Sequence, residues 1–123
     1  MLETGFQEVF VVHTQSFFVP GFRMSVFDGC SEVGHAYFYV LRNDAHASPT
    51  GLLEDLYVAE GYRSRGYGTK LLSAVVTKAQ ENRCYKLIAM SRNDGTRCHM
   101  HAWYMRMGFV LHGTEFRMNL LRA

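Results

Sequence analysis

The spacing of apolar positions changes period about halfway along the chain. In the first half, β-branched and aromatic residues come in short runs bounded by turn residues. Such runs are at Glu8 to Thr14 (E-V-F-V-V-H-T), Phe22 to Phe27, Gly34 to Leu41 (G-H-A-Y-F-Y-V-L) and Gly51 to Val58, and each predicts a strand. A turn is expected at Pro20-Gly21, a hairpin turn at Asp28-Gly29 and a polar loop over Arg42 to Pro49. From Gly66 onward, Leu71, Leu72, Val75, Val76 and Ala79 make one apolar stripe of a helix, which Asn82-Arg83 ends. Lys86 to Met90 (K-L-I-A-M) predicts a short buried strand, and Arg92 to Arg97 a polar connection. A second helix is predicted over about Thr96 to Met107, with Gly108 where a left-handed cap is needed. Phe109 to Leu111 and Glu115 to Leu121 predict a last hairpin around Gly113. The order of elements predicts an α/β chain of mixed type, with one parallel strand–helix–strand crossover.

Composition narrows this only a little. The 123 residues predict one domain spanning 1–123, and 48% hydrophobic against 20% charged residues excludes a disordered chain. Nine Phe, seven Tyr and seven Met supply a core without help from disulfides. A formal charge of +2 is too balanced to predict nucleic-acid binding, although a local basic spot is allowed. No apolar stretch approaches the length of a membrane span, so no membrane partner is expected. The start, Met-Leu-Glu-Thr, lacks the basic and apolar pattern of a signal peptide. Cys30, Cys84 and Cys98 are odd in number and widely spaced, which fits thiols kept reduced better than a disulfide framework. A cytoplasmic location is the expectation.

The chemistry concentrates in Leu52 to Leu72, L-L-E-D-L-Y-V-A-E-G-Y-R-S-R-G-Y-G-T-K-L-L. A strand runs into a turn holding Arg63, Arg65, Gly66 and Gly68, and a helix opens directly after it. The first N–H groups of a helix lack internal partners and carry partial positive charge. Glycines let backbone close on a phosphate, and arginines add forked donors. Two familiar phosphate loops fail letter by letter. The Lys and hydroxyl of a Walker A loop fall on Tyr67 and Gly68. The third glycine of the dinucleotide fingerprint falls on Leu71, and the strand Lys86 to Met90 ends without its acidic residue.

What remains, Arg63-x-x-Gly66-x-Gly68, resembles the acyl-coenzyme-A loop of the GNAT superfamily of N-acetyltransferases, Arg or Gln-x-x-Gly-x-Gly or Ala. Some thirty-five residues later, Trp103-Tyr104-Met105-Arg106-Met107-Gly108-Phe109 is similar to that family's second signature, aromatic-Tyr-x-x-x-Gly-Phe. The resemblance covers Leu52 to the C-terminus. It implies a central, mostly antiparallel twisted sheet of about six to seven strands with flanking helices. The fourth and fifth strands splay to admit acetyl-coenzyme A, the expected cosubstrate. Pantetheine would lie along Leu56, Tyr57 and Val58, and the pyrophosphate on the turn formed by Arg63, Ser64, Arg65, Gly66, Tyr67, Gly68 and Thr69. The family often has an asparagine seven residues before its signature tyrosine. That position is Arg97 here, and the contact to the cofactor falls to it or to Asn93.

Three residues are candidates for catalysis. By the resemblance, Tyr104 protonates the departing thiolate. A phenol of pKa about 10 can give a proton to a thiolate whose conjugate acid lies near about 8.5. Glu54 and Asp55 are the candidate bases that take the proton of an ammonium acceptor. Strand alternation predicts them on opposite faces, so that at most one of the two points at the acceptor. Cys98-His99-Met100-His101 invites a metal, yet residues two apart stand about 200° around a helix and share no ligand face, so none is expected. The chain also departs from the family: the seven residues between Thr14 and Phe22 are too few for the helices that usually wall the acceptor site. The acceptor side is then open, or closed by another subunit in a homodimer. The acceptor expected is a small-molecule amine, with a peptide or protein amine, or a non-catalytic acyl-coenzyme-A-binding module, as alternatives.

Overall fold

In the computed structural model of the chain, which describes residues 10–91 and 97–121, most of the predicted elements form. Three strands come first: β1 is Gly21–Asp28, β2 is Ser31–Leu41 and β3 is Thr50–Val58. They are followed by α1 (Tyr67–Glu81), β4 (Lys86–Ala89) and α2 (Cys98–Arg106). The chain divides into two compact units, one ending at Ala89 and the other beginning at Met90.

The first unit holds one sheet in the order β1-β2-β3-β4. The first three strands are antiparallel neighbours, while β4 returns parallel to β3 after the α1 crossover. On β2, Ala36, Phe38 and Val40 are buried, and they alternate with half-buried His35, Tyr37 and Tyr39. Period two thus gives the sheet one apolar face. Helix α1 covers it with Leu71, Leu72, Val75 and Ala79, four of the five residues of the predicted stripe; Val76 is half-buried. Phe38 is fully enclosed, which is worth about 1.5–3 kcal/mol for a side chain of this size. Room for it comes from Gly51, where a Cβ would stand 2.8 Å from the Phe38 ring.

Both helices end in the same way. After α1, the N–H of Cys84 donates to Ala79 O and that of Arg83 to Gln80 O, each at 3.0 Å, with Arg83 left-handed (φ 59°). After α2, Phe109 donates to Tyr104 O at 3.0 Å and Gly108 to Met105 O at 3.1 Å, with Gly108 at φ 103°. This is the Schellman pattern, and the second case is the cap predicted at Gly108.

Three expectations are corrected. The sheet has four strands among the described residues, not six or seven. Of the predicted strand Glu8 to Thr14, residues 8 and 9 lie outside the described residues and 10–14 form no strand, with Phe10 89% exposed. The predicted last hairpin is likewise absent over 109–121, and Phe116 is 93% exposed. The composition of both segments is right for a strand, but β propensity measures fit to a neighbouring pleated surface. No neighbour pairs with these segments among the described residues. The helix start predicted at Thr96 falls outside the described residues, and α2 begins at Cys98. Among the described residues no helix is long and apolar enough to cross a membrane.

Candidate functional site

β3 pairs with β2 along nearly its whole length, but with β4 only from Thr50 to Leu53. Beyond Leu53 no strand pairs with the β4 side of β3 among the described residues. Halfway along, β3 bulges. Tyr37 pairs with Glu54 and His35 with Tyr57, so Ala36 alone faces Asp55 and Leu56. Asp55 takes up the extra residue in a left-handed conformation, φ 53°. Cross-strand partners share a face, so Glu54 and Tyr57 stand with Tyr37 and His35, away from α1.

The bulge interrupts regular alternation at the two acids. Asp55 lines a shallow cleft of about 460 Å³ together with His35, Tyr37, Leu56 and Tyr57. Both carboxylates are exposed. His35 sits 5.6 Å from the Tyr37 ring and 5.4 Å from the Tyr57 ring. Of these rings, only Tyr57 is among the site residues singled out from the sequence. The signal for the other two was there, since His35 and Tyr37 alternate with the core residues of β2.

The open edge can be followed atom by atom. Ala59 N–H donates to Val33 O on β2 at 2.7 Å. Carbonyl and amide directions alternate along a strand, so the Val58 carbonyl points the other way, away from β2. Arg63 Nε–H donates to that Val58 carbonyl at 2.8 Å, and its guanidinium lies 5.8 Å from the centre of the Tyr57 ring. Arg65 lies over Tyr62 at 5.4 Å, and Tyr62 meets Tyr67 edge-on.

Helix α1 starts at Gly66, left-handed at φ 91°, with no side-chain cap and no acidic residue in its first turn. The first helical bond is Lys70 N–H to Gly66 O, 3.0 Å. The N–H groups of Tyr67, Gly68 and Thr69 precede it and have no acceptor within the helix. Ser64, Arg65, Gly66, Thr69 and Lys70 are exposed around them. Uncapped donors, the positive helix end and two cations suit an anion such as a diphosphate. A Cβ on Gly66 would meet nothing within 4 Å. The residues present fit a phosphate-bearing ligand whose extended arm adds to the edge of β3.

In the second unit, Tyr104 lies on α2 beside Trp103, ring centres 5.2 Å apart, and against the edge of Phe109 at 5.2 Å. Burial pushes its phenol up from the ordinary value, and Arg97 partly offsets this. The spacing Tyr-x-x-x-Gly-Phe acquires a local reason here. Gly108 turns the chain so that Phe109 bonds and packs back onto Tyr104. Arg97 is exposed at the start of α2, and Asn93 lies outside the described residues. His99 and His101 both fall on helical residues, and among the described residues no three His, Cys, Asp or Glu gather to hold a metal.

A family model described as Acetyltransferase (GNAT) family matches residues 7–109. No curated protein matches the chain. Among solved structures, a protein of Agrobacterium tumefaciens assigned as an acetyltransferase is 25% identical, with TM-score 0.71 over 77% of this chain and 65% of that one. An acetyltransferase of Trypanosoma brucei is 26% identical, with TM-score 0.65 over 72% and 60%. An aminoglycoside acetyltransferase from an uncultured soil metagenomic sample shares the fold, with TM-score 0.72 at 18% identity over 80% and 65%. The chain therefore spans less than two thirds of the length of each of these structures.

Proposed function

The chain belongs to the GNAT acetyltransferase family, and on that premise we propose an N-acetyltransferase that moves an acetyl group from acetyl-coenzyme A to a primary amine of a small molecule by direct attack. The observation that carries this reading is the uncapped, glycine-led start of α1 placed directly after a β3 edge that β4 leaves open. Acetyl-coenzyme A supplies an acetyl group already activated as a thioester. The backbone N–H groups from Arg65 to Thr69 hold its pyrophosphate, and the edge at Leu56, Tyr57 and Val58 takes its strand-like arm. Arg97 and Asn93 are the remaining candidates for contact with it.

Glu54 or Asp55 takes the ammonium proton, directly or through water, which makes the amine nucleophilic. Asp55 borders the cleft, and Glu54 pairs across the sheet with Tyr37, which also borders it; this supports either acid as the base. Tyr104 Oη holds the proton that the leaving thiolate takes up. Burial keeps that phenol protonated through the neutral range. No side chain is acylated, and much of the acceleration comes from holding the two reactants together.

Two measurements test the proposal: thiol release from acetyl-coenzyme A across small amines and peptides, and a cofactor-induced rise in melting temperature. The expected result is a rise, with release on small amines. Release on peptides alone would move the acceptor to proteins. Binding with no turnover on any amine would make the chain an acyl-coenzyme-A-binding module, and neither signal would remove the reading.

A further inference from the structure

The turn between β3 and α1 is costly to hold. Within six positions it carries three left-handed residues, Gly61 (φ 93°), Ser64 (φ 61°) and Gly66 (φ 91°), and Ser64 lacks the freedom of a glycine. Its entry is tied down at three points. Ala59 N–H is bonded to Val33 O, Tyr62 N–H to Ala59 O, and Arg63 Nε–H to Val58 O. Of these, only the Arg63 bond comes from a side chain, and it reaches the last outward carbonyl of the open edge.

We propose that Arg63 is a positioning residue whose Nε–H closes the open edge at the Val58 carbonyl and holds the phosphate turn in place, and that cofactor binding depends on this donor rather than on the guanidinium charge. The inference rests on the cofactor reading above. Positive charge at the turn is already supplied by exposed Arg65 and Lys70 and by the start of α1. Arg63 is different because the donor nearest its backbone is spent on the protein itself.

The chemistry of three side chains separates donor from charge. Glutamine places its amide nitrogen the same number of bonds from Cα as arginine Nε, so Arg63→Gln keeps a donor at that atom and loses the charge. Lysine has a methylene there, so Arg63→Lys keeps the charge and loses the donor. Acetyl-coenzyme A affinity is measured by calorimetry at two salt concentrations, and hydrogen exchange of the 59–66 amides is followed with no cofactor present. Arg63→Gln is expected to bind within about twofold of the unaltered protein with the same salt dependence. Arg63→Lys is expected to bind about three- to tenfold more weakly, the contribution of one such hydrogen bond. Its turn amides should exchange faster, while those of Arg63→Gln should not.

The reverse order, with Lys tolerated and Gln weakened with a smaller salt dependence, would assign Arg63 to phosphate by charge and overturn the proposal. Two variants both indistinguishable from the unaltered protein would overturn it as well. If the unaltered protein does not bind acetyl-coenzyme A, the cofactor reading fails. The exchange of the turn amides in the two variants then still decides whether the donor holds the turn.

Discussion

Substitution of Gly66 separates the stability of the turn from its ligand. The residue sits at φ 91°, and a Cβ there meets no neighbour within 4 Å. Gly66→Ala therefore clashes with nothing and bears only the cost of a left-handed backbone, about 1–2 kcal/mol. The reduced freedom of the unfolded chain returns about 0.4–1 kcal/mol of that. The net loss, at most about 1.6 kcal/mol and centred on about 0.8 kcal/mol, should lower the melting temperature by a few degrees in a domain of this size. Gly66→Asp should be less destabilising than Ala, because aspartate visits the left-handed region more readily and its carboxylate at the positive helix end recovers about 0.3–1 kcal/mol. Binding should rank the other way. A methyl group at the helix start crowds a pyrophosphate bound there, and a carboxylate adds repulsion against it. We expect Ala to weaken acetyl-coenzyme A binding by about tenfold, near 1.4 kcal/mol, and Asp by at least about tenfold more. Melting curves of the ligand-free variants and calorimetric titration read the two orders. An Asp variant that binds as well as the Ala variant would refute the placement of the phosphate at this turn.

Three further outcomes follow from the same structure. Tyr104→Phe should lower turnover far more than cofactor affinity, and unchanged turnover would remove the phenol from the mechanism; because burial raises its pKa, the alkaline fall in rate should lie above the usual tyrosine range. Arg83→Gly should raise stability by roughly 0.5–1 kcal/mol, since Arg83 occupies the left-handed cap of α1, and an unchanged melting temperature would contradict a strained cap. Hydrogen bonds from Arg23 hold the Glu32 carboxyl at about 2, well below its ordinary 4.5. Its contribution is therefore complete above the ordinary value and lost as pH falls through about 2. Urea midpoints should decline over that window and Glu32→Gln should flatten the decline; an equal decline in both proteins would count against the pair.

Much of the first unit was legible because its signals are local. The stripe Leu71, Leu72, Val75 and Ala79 buries as its period requires, and Asp28-Gly29 turns the hairpin where expected. Gly66 and Gly108 are left-handed because no other residue bends there as cheaply. The Tyr57-Val58 to Gly68 stretch could be read as strand, turn and helix start for the same reason. The site's finer chemistry was less accessible. Alternation predicts Glu54 and Asp55 on opposite faces, but a left-handed residue at Asp55 interrupts the regular pattern on which that prediction rests. Arg63 read as a phosphate ligand from its charge, whereas the direction of the Val58 carbonyl decides what its Nε–H meets.

Period, turn residues and two short motifs are properties of neighbours in the chain, and they determined the elements, the phosphate turn and the family resemblance. Whether a β-rich segment becomes a strand depends instead on an edge supplied from elsewhere. That is why Phe10 to Thr14 and Glu115 to Leu121 carry strand composition and form none. The open side of β3 likewise follows from where β4 stops, opposite Leu53, and the meeting of Asp55 with His35 and Tyr37 from a bulge in the pairing register. Register and edge availability are relations between strands distant in sequence, and only the tertiary structure decided them.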